Sequence, residues 1–331
     1  MKLVSYLFKG ETKLGAVINH DVFALNSINN NLPNNIIEFL KLGEAIMRDT
    51  EILISKIETK EINIDPVNDY TLLAPVPHPT SCRDGYAFRQ HVASARKNRG
   101  VDMIKEFDQY PIFYFTNHNA IQGPGEIYCM PDHFQQLDFE LEIAIVIGKE
   151  GRNIKAKDAD AYIAGFTIMN DLSARKLQME EMLLNLGPAK GKDFSTVIGP
   201  WLVTPNEMNR FLVPAKDGHV GNNYDLSMKC WVNEKLVSQG NVKDMDWTFA
   251  EIIERCSYGV TIYPGDEIGS GTVGTGCFLE LNGTGKLNNP NFEAQWLQPN
   301  DTVKMTIDGL GTLENIIKAE ATDWSILAQK K

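Results

Sequence analysis

Period-two alternation of apolar and polar residues runs through much of this chain and is sharpest in QQLDFELEIAIVIGK, residues 135–149. In a strand Asp138, Glu140 and Glu142 share one face, and Phe139, Leu141 and Ile143 share the other. Neighbouring acids on such a face stand roughly 7 Å apart and repel by about 2 kcal/mol at an effective dielectric of about 20. A solvated sheet end or nearby Lys and Arg would offset that repulsion; so would a hard divalent cation. The segment alone leaves both readings open.

The pattern elsewhere predicts short strands and a few helices. LVSYLF, KLGAVI and DVFAL read as strands separated by turn-formers, and NNIIEFLKLGEAIMRDTEILISKI reads as a helix capped by asparagines. Pro75, Pro77 and Pro79 then forbid helix and mark a boundary between a small domain, 1–74, and a larger one, 75–331. Beyond it YAFRQHVASARKNRG is helix-like to Gly100, Tyr162 to Met169 a strand, and Asn170 or Asp171 opens a helix through DLSARKLQMEE. DLSMKCWVNEKLVSQG predicts a hairpin turning at Asn233 and Glu234, and DWTFAEIIERC an amphipathic helix. VTIYPGDEIGSGT, CFLELNG and DTVKMTI are β-type runs. With no repeat and no βαβ alternation, the expected class is α+β, rich in strand.

Bulk properties narrow the function. At 331 residues, 43% hydrophobic and 23% charged, the chain is an ordinary folded protein with a substantial core. A formal net charge of -11 disfavours nucleic acid as a partner. The apolar run Leu3 to Phe8, interrupted by Ser5, is too short for a signal peptide or a spanning helix. A cytoplasmic enzyme that does not engage membranes is the expectation. Five widely spaced cysteines, without a Cys-x-x-Cys pair, argue against a disulfide framework and a zinc site.

Several groups of residues could carry chemistry. Gly269, Gly271 and Gly274 have G-x-G-x-x-G spacing, but a dinucleotide site needs a helix directly after the glycines, and CFLELNG reads as a strand. Asp171, Arg175 and Gln178 would share one helix face, as a surface pair or as part of a pocket with the DFELE acids. Asp84 and His91 would lie on one side of a helix two turns apart; Glu280 and Lys192, taken singly, are an ordinary strand acid and loop lysine.

Taken together, DGYAFRQH, LDFELE, MNDLSAR with Gln178, GPAKGKDF, and YPGDEIGSGTVGTG with FLEL resemble the fumarylacetoacetate hydrolase superfamily over residues 81–282. The resemblance implies a small N-terminal β/α domain and a larger catalytic domain of mixed β-sandwich roll type. It implies divalent-metal ligands at Asp84, Glu140, Glu142 and Asp171, with Asp138 a neighbour, and a catalytic His91 assisted by Glu280. Lys192, Arg175 and Gln178 would be charge-stabilising catalytic donors, with Arg175 and Gln178 also binding substrate. Tyr86, Thr272 and Tyr114 would contact substrate too, and an arginine downstream of the histidine falls on Arg96 or Arg99. Oxygen-only ligands imply Mg or Ca, with Mn as a further option.

The implied activity is hydrolysis of a carbon–carbon bond in a small diketo acid of the fumarylacetoacetate or acylpyruvate type, as in aromatic amino acid catabolism, by a homodimer. The alternative is decarboxylation, hydration or tautomerisation of a 2-oxo acid on the same metal platform. One departure bears on substrate: the Gln178–Lys192 connection reads MEEMLLNLGPAKG, one residue longer than in the animal enzyme and without its substrate-contacting tyrosine.

Overall fold

The computed structural model describes residues 1–329. The first alternating runs form β1 (Lys2–Phe8), β2 (Glu11–Ile18) and β3 (Asp21–Ala24). The single helix expected next is two, α1 (Ile36–Lys41) and α2 (Glu44–Glu58). The break falls at Gly43, whose φ of 82° is open to glycine and strained for other residues. Asn35 caps the first piece, its side chain accepting from the N–H groups of Ile37 and Glu38.

Next come β4 (Cys82–Gly85), α3 (Arg89–Lys97), β5 (Phe113–Thr116), β6 (Gly125–Cys129) and β7 (Leu141–Ile147). β8 (Ile163–Asp171), α4 (Arg175–Met182) and β9 (Thr196–Val203) follow. The expected hairpin is β10 (Ser227–Val232) and β11 (Lys235–Asn241). Its turn residues Asn233 and Glu234 both have positive φ, as a two-residue turn between twisted strands requires. The chain closes with α5 (Phe249–Ser257), β12 (Glu267–Gly269), α6 (Phe278–Asn288), β13 (Thr302–Ile307) and β14 (Gly311–Ala319). Among the described residues no helix is long and apolar enough to cross a membrane.

Two sheets organise this mixed, strand-rich fold. The larger runs β3-β2-β1-β9-β8-β7-β12-β4-β5, and the smaller β11-β10-β13-β14-β6. Strand β1 joins the 1–74 segment to the larger sheet by pairing antiparallel with β9, Leu3 opposite Leu202. The main core fills with Phe139, Leu141, Ile143, Ile145, Phe166 and Ile168 from the central strands and with Met228, Met305 and Leu313 from the smaller sheet.

The structure corrects three local expectations and decides one open reading. Asn170 and Asp171 do not open a helix; they end β8, paired with Val197 and Thr196, and α4 begins only at Arg175. Asp84 and His91 do not share a helix, since Asp84 belongs to β4 and His91 to α3. The segment CFLELNG is not a strand: α6 starts at Phe278, because the buried Asp138 carboxylate accepts from the N–H groups of Phe278 (2.7 Å) and Leu279 (2.9 Å). Those are two of the donors that a helix start leaves unsatisfied. A helix therefore does follow the glycine run, yet β12 lies antiparallel to β7, outside any βαβ unit, and the Gly271 N–H is turned onto Asp84. Lastly, the alternation in DFELE marks no solvated face, because Asp138, Glu140 and Glu142 are all buried.

Phe166 is fully buried and packs edge-on against Tyr224 with ring centroids 5.0 Å apart. Replacing Phe166 by Ala is expected to lower the unfolding free energy by about 3–5 kcal/mol, measured by urea denaturation.

Candidate metal centre and catalytic dyad

Strand register builds the site. Asp84 of β4 stands opposite Gly269 of β12, Gly269 opposite Ala144 of β7, and Glu142 of β7 opposite Met169 of β8. Asp171 closes β8, and Glu140 sits in the bend before β7, its N–H held by the Asn170 side chain at 3.0 Å. One carboxylate oxygen from each of Asp84, Glu140, Glu142 and Asp171 lies within 4.8 Å of the others, and all four residues are buried. Gly269 makes room for them: a Cβ there would fall 2.4 Å from Asp84 Oδ1 and 3.1 Å from Glu142 Oε2.

Two buried cations face this cluster. Lys192 Nζ donates to Glu140 Oε2 and, at 2.7 Å, to Asp171 Oδ2. Arg175 forks between acids, Nη2 to Glu140 Oε1 at 2.6 Å and Nε to Asp138 Oδ2 at 2.8 Å, while Nη1 reaches Gln178 at 3.0 Å. Their effect on Glu140 is large. Burial works against its charge, but Lys192 and Arg175 hold its carboxyl at about 2. Burial and then Asp171 push Asp84 up to about 7; burial and then Asp84 push Glu142 well above the usual range; and burial raises Asp171 in spite of Lys192. Burial likewise opposes the Lys192 ammonium, yet Asp171 and Glu140 raise it above the ordinary lysine value.

Two cations do not balance five acids, and two oxygens of the cluster, Glu142 Oε2 and Asp171 Oδ1, are buried with no hydrogen-bond partner. Such orphaned acceptors are expensive unless a cation takes them. The donor set is all oxygen, so the residues fit a hard divalent cation held by Asp84, Glu140, Glu142 and Asp171. Asp138, adjacent but outside that group, ties Arg175 to the start of α6.

Beside the cluster, His91 Nδ1 lies 2.6 Å from Glu280 Oε2, an oxygen that also accepts from the Thr275 N–H at 3.0 Å. Asn98 fixes α6 from the other side, its amide donating to the Glu280 carbonyl at 3.0 Å. A ring nitrogen of His91 is within 4.8 Å of a Glu140 carboxylate oxygen, so the dyad borders the acid cluster directly. Tyr86 meets the His91 ring edge-on at 6.1 Å. Burial raises its hydroxyl, and Arg99 and, to a lesser degree, Arg96 oppose this; Arg96 Nε donates to the Asp102 carbonyl and the exposed Arg99 donates through Nε to the Ala95 carbonyl at 3.2 Å. Thr272 donates to Glu142 Oε1 at 3.3 Å and Tyr114 to Asp171 Oδ2, which places both hydroxyls on the carboxylate cluster itself. The sequence leaves Cys277 out of the site and gives Asp138 only as a neighbour of the ligands. Cys277 stands within 4.8 Å of His91 and Glu140, and its one sequence clue is its place immediately before FLEL. The anchoring role of Asp138 needs a contact 140 residues away and has no local clue.

Comparison with known proteins shows the family. A family model described as "Fumarylacetoacetate (FAA) hydrolase C-terminal" matches residues 80–318. A mitochondrial oxaloacetate tautomerase of Homo sapiens is 34% identical over 310 residues, covering 91% of this chain and 83% of its own, and one of Bos taurus is 33% identical over 301 residues, covering 89% and 83%. Among solved structures, the fumarylacetoacetate hydrolase of psychrophilic Exiguobacterium antarcticum superposes with a TM-score of 0.67 at 23% identity, covering 97% of this chain and 100% of its own. The maleylpyruvate hydrolase of Sphingobium sp. SYK-6, in complex with manganese(II) ion and pyruvate, gives 0.66 at 22% identity, covering 96% and 99%. At these identities the solved structures share the fold.

The raised carboxyls set a pH dependence. Asp84 binds its proton more tightly folded, at about 7, than at its ordinary 3.8. It therefore destabilises the metal-free protein progressively as pH rises through that window. The melting temperature of metal-free protein is expected to fall across it relative to Asp84→Asn, and saturating Mn2+ should remove the fall in wild type only. Equal pH slopes for the two proteins would count against the cluster.

Proposed function

The chain belongs to the fumarylacetoacetate hydrolase family, and on that premise we propose that it is a metal-dependent enzyme that interconverts the keto and enol forms of a small 2-oxo diacid such as oxaloacetate. The observation that carries this reading is the His91–Glu280 pair set against Glu140 of the carboxylate cluster. The names of the relatives support the choice of reaction: those at 33–34% identity are oxaloacetate tautomerases, whereas the hydrolases among the solved structures stand near 22%. The Met179–Gly191 connection, longer than in the animal fumarylacetoacetate-cleaving enzyme and lacking its tyrosine, points the same way.

Asp84, Glu140, Glu142 and Asp171 would hold the cation, Mg, Mn or Ca by their chemistry. When bound, the cation supplies Lewis acidity toward the carbonyl and carboxylate oxygens of the substrate. Glu280 orients the His91 ring through Nδ1 and stabilises its charge once a proton is taken. With Nδ1 facing Glu280, Nε2 carries the lone pair that removes a proton from the carbon beside the carbonyl and later returns it. Lys192 and Arg175, locked by Glu140, Asp171 and Asp138, present fixed positive charge where the oxygen becomes negative. Tyr86 and Gln178 would contact the far end of a diacid, and one of Arg96 and Arg99 would add positive charge there.

Carbon–carbon hydrolysis of an acylpyruvate or fumarylacetoacetate is the second reading, favoured by the same dyad, since a base that removes a carbon-bound proton can equally activate water. We place the enzyme in the cytoplasm as a homodimer; the relatives named mitochondrial make that compartment the alternative.

The test separates the two reactions. With oxaloacetate and Mn2+ in D2O, the protein should speed both decay of the enol absorbance and deuterium entry at carbon 3 without cleavage, whereas acylpyruvate hydrolysis in 18O-water without any tautomerase activity would overturn the first reading in favour of the second. His91→Asn is expected to lower kcat by about 10²–10⁴-fold while leaving Mn2+ affinity within about twofold.

A further inference from the structure

All five cysteines are unpaired and buried, and one of them lies beside the dyad. A ring nitrogen of His91, a carboxylate oxygen of Glu140 and Sγ of Cys277 lie within 4.8 Å of one another, with all three residues buried. This set differs in kind from the four-carboxylate cluster beside it. Nitrogen, oxygen and thiolate sulfur suit a borderline cation with tetrahedral preference, whereas carboxylates alone suit a hard one. We propose that His91, Glu140 and Cys277 form a second, inhibitory site for a divalent cation of the zinc class, which excludes the reaction by occupying the lone pair of His91.

Two local groups stabilise a thiolate ligand, and burial opposes it. Cys277 is the N-cap of α6, an eleven-residue helix, and its sulfur accepts from the Glu280 N–H at 3.5 Å. The helix start and the nearby Arg175 guanidinium both stabilise negative sulfur. Burial, the largest influence, keeps the free thiol protonated, with Asp138 and Glu140 adding to it. Zinc binding therefore displaces a proton: the S–H bond breaks, an S–Zn bond forms, and the proton leaves to solvent with no change of oxidation state. Coordination through Nε2 preserves the Nδ1–Glu280 bond, the carboxylate–histidine arrangement usual around zinc.

Glu140 belongs to both groups, and its two oxygens already accept from Arg175 and Lys192. A cation at the His–Glu–Cys set must draw that carboxylate away from its partners and from the hard site. The two sites therefore oppose one another, each cation weakening the other by the same factor.

Cobalt(II) is the probe, since it mimics zinc and reports sulfur ligation. The full-length protein, first saturated with Mg2+ to fill the carboxylate cluster, is titrated with Co2+ and then Zn2+. A near-ultraviolet thiolate-to-cobalt band is expected in wild type, bleached by zinc, unaltered in Cys82→Ser and absent in Cys277→Ser. Serine is a good N-cap, so the last variant should keep α6, as circular dichroism would verify. Zinc should inhibit wild type at concentrations at least about tenfold below those that inhibit Cys277→Ser. No band in wild type, or a band that survives Cys277→Ser, overturns the site. Inhibition rests on His91 as the base and the cobalt spectrum does not: a band without inhibition would fault the proposed mechanism and leave the metal site standing.

Discussion

Four carboxylates buried within 4.8 Å of one another dominate the energetics of this protein. At that separation and an effective dielectric of about 20, each ionised pair repels by about 3 kcal/mol, before any penalty for leaving water. Lys192 and Arg175 offset part of this, chiefly at Glu140, and leave Asp84, Glu142 and Asp171 inclined to keep their protons. A divalent cation would supply the missing charge and take the oxygens that have no partner.

The remaining architecture keeps those acids from moving apart. Neighbouring strands in register fix Asp84, Glu142 and Asp171, and the bare backbone at Gly269 lets them close. Asp138 extends the arrangement to catalysis: it grips Arg175 on one side and the start of α6 on the other, and α6 delivers Glu280 to His91. One buried acid therefore couples the charge-stabilising donors to the acid–base pair. The three alternate acids therefore divide their roles: Glu140 and Glu142 join the carboxylate cluster, and Asp138 secures the start of α6 behind it.

The sequence was informative where local pattern and local geometry agree. The hairpin at Asn233–Glu234, the amphipathic helix in DWTFAEIIERC and the strands β1 to β3 are visible in turn residues, periodicity and alternation. The period-two pattern in DFELE puts the three acids together but leaves their surroundings open, because alternation cannot distinguish a solvated face from one buried against charge; β7 itself begins only at Leu141. FLEL reads as strand from its own composition; Asp138, far away in the chain, makes it a helix. Asp171 reads as a helix start until its pairing with Thr196 is known. The geometry of the acid cluster was reachable only through linked motifs, since no single segment contains more than two of its four residues. Spacing among the cysteines carries no sign of Cys277's place, which is set by the helix it begins.

The most direct test of the central idea is anomalous diffraction from manganese-soaked crystals. A single strong peak is predicted between Asp84, Glu140, Glu142 and Asp171, at about 2.0–2.6 Å from at least one oxygen of each. A chamber without a peak, or manganese bound only elsewhere on the molecule, would contradict the account.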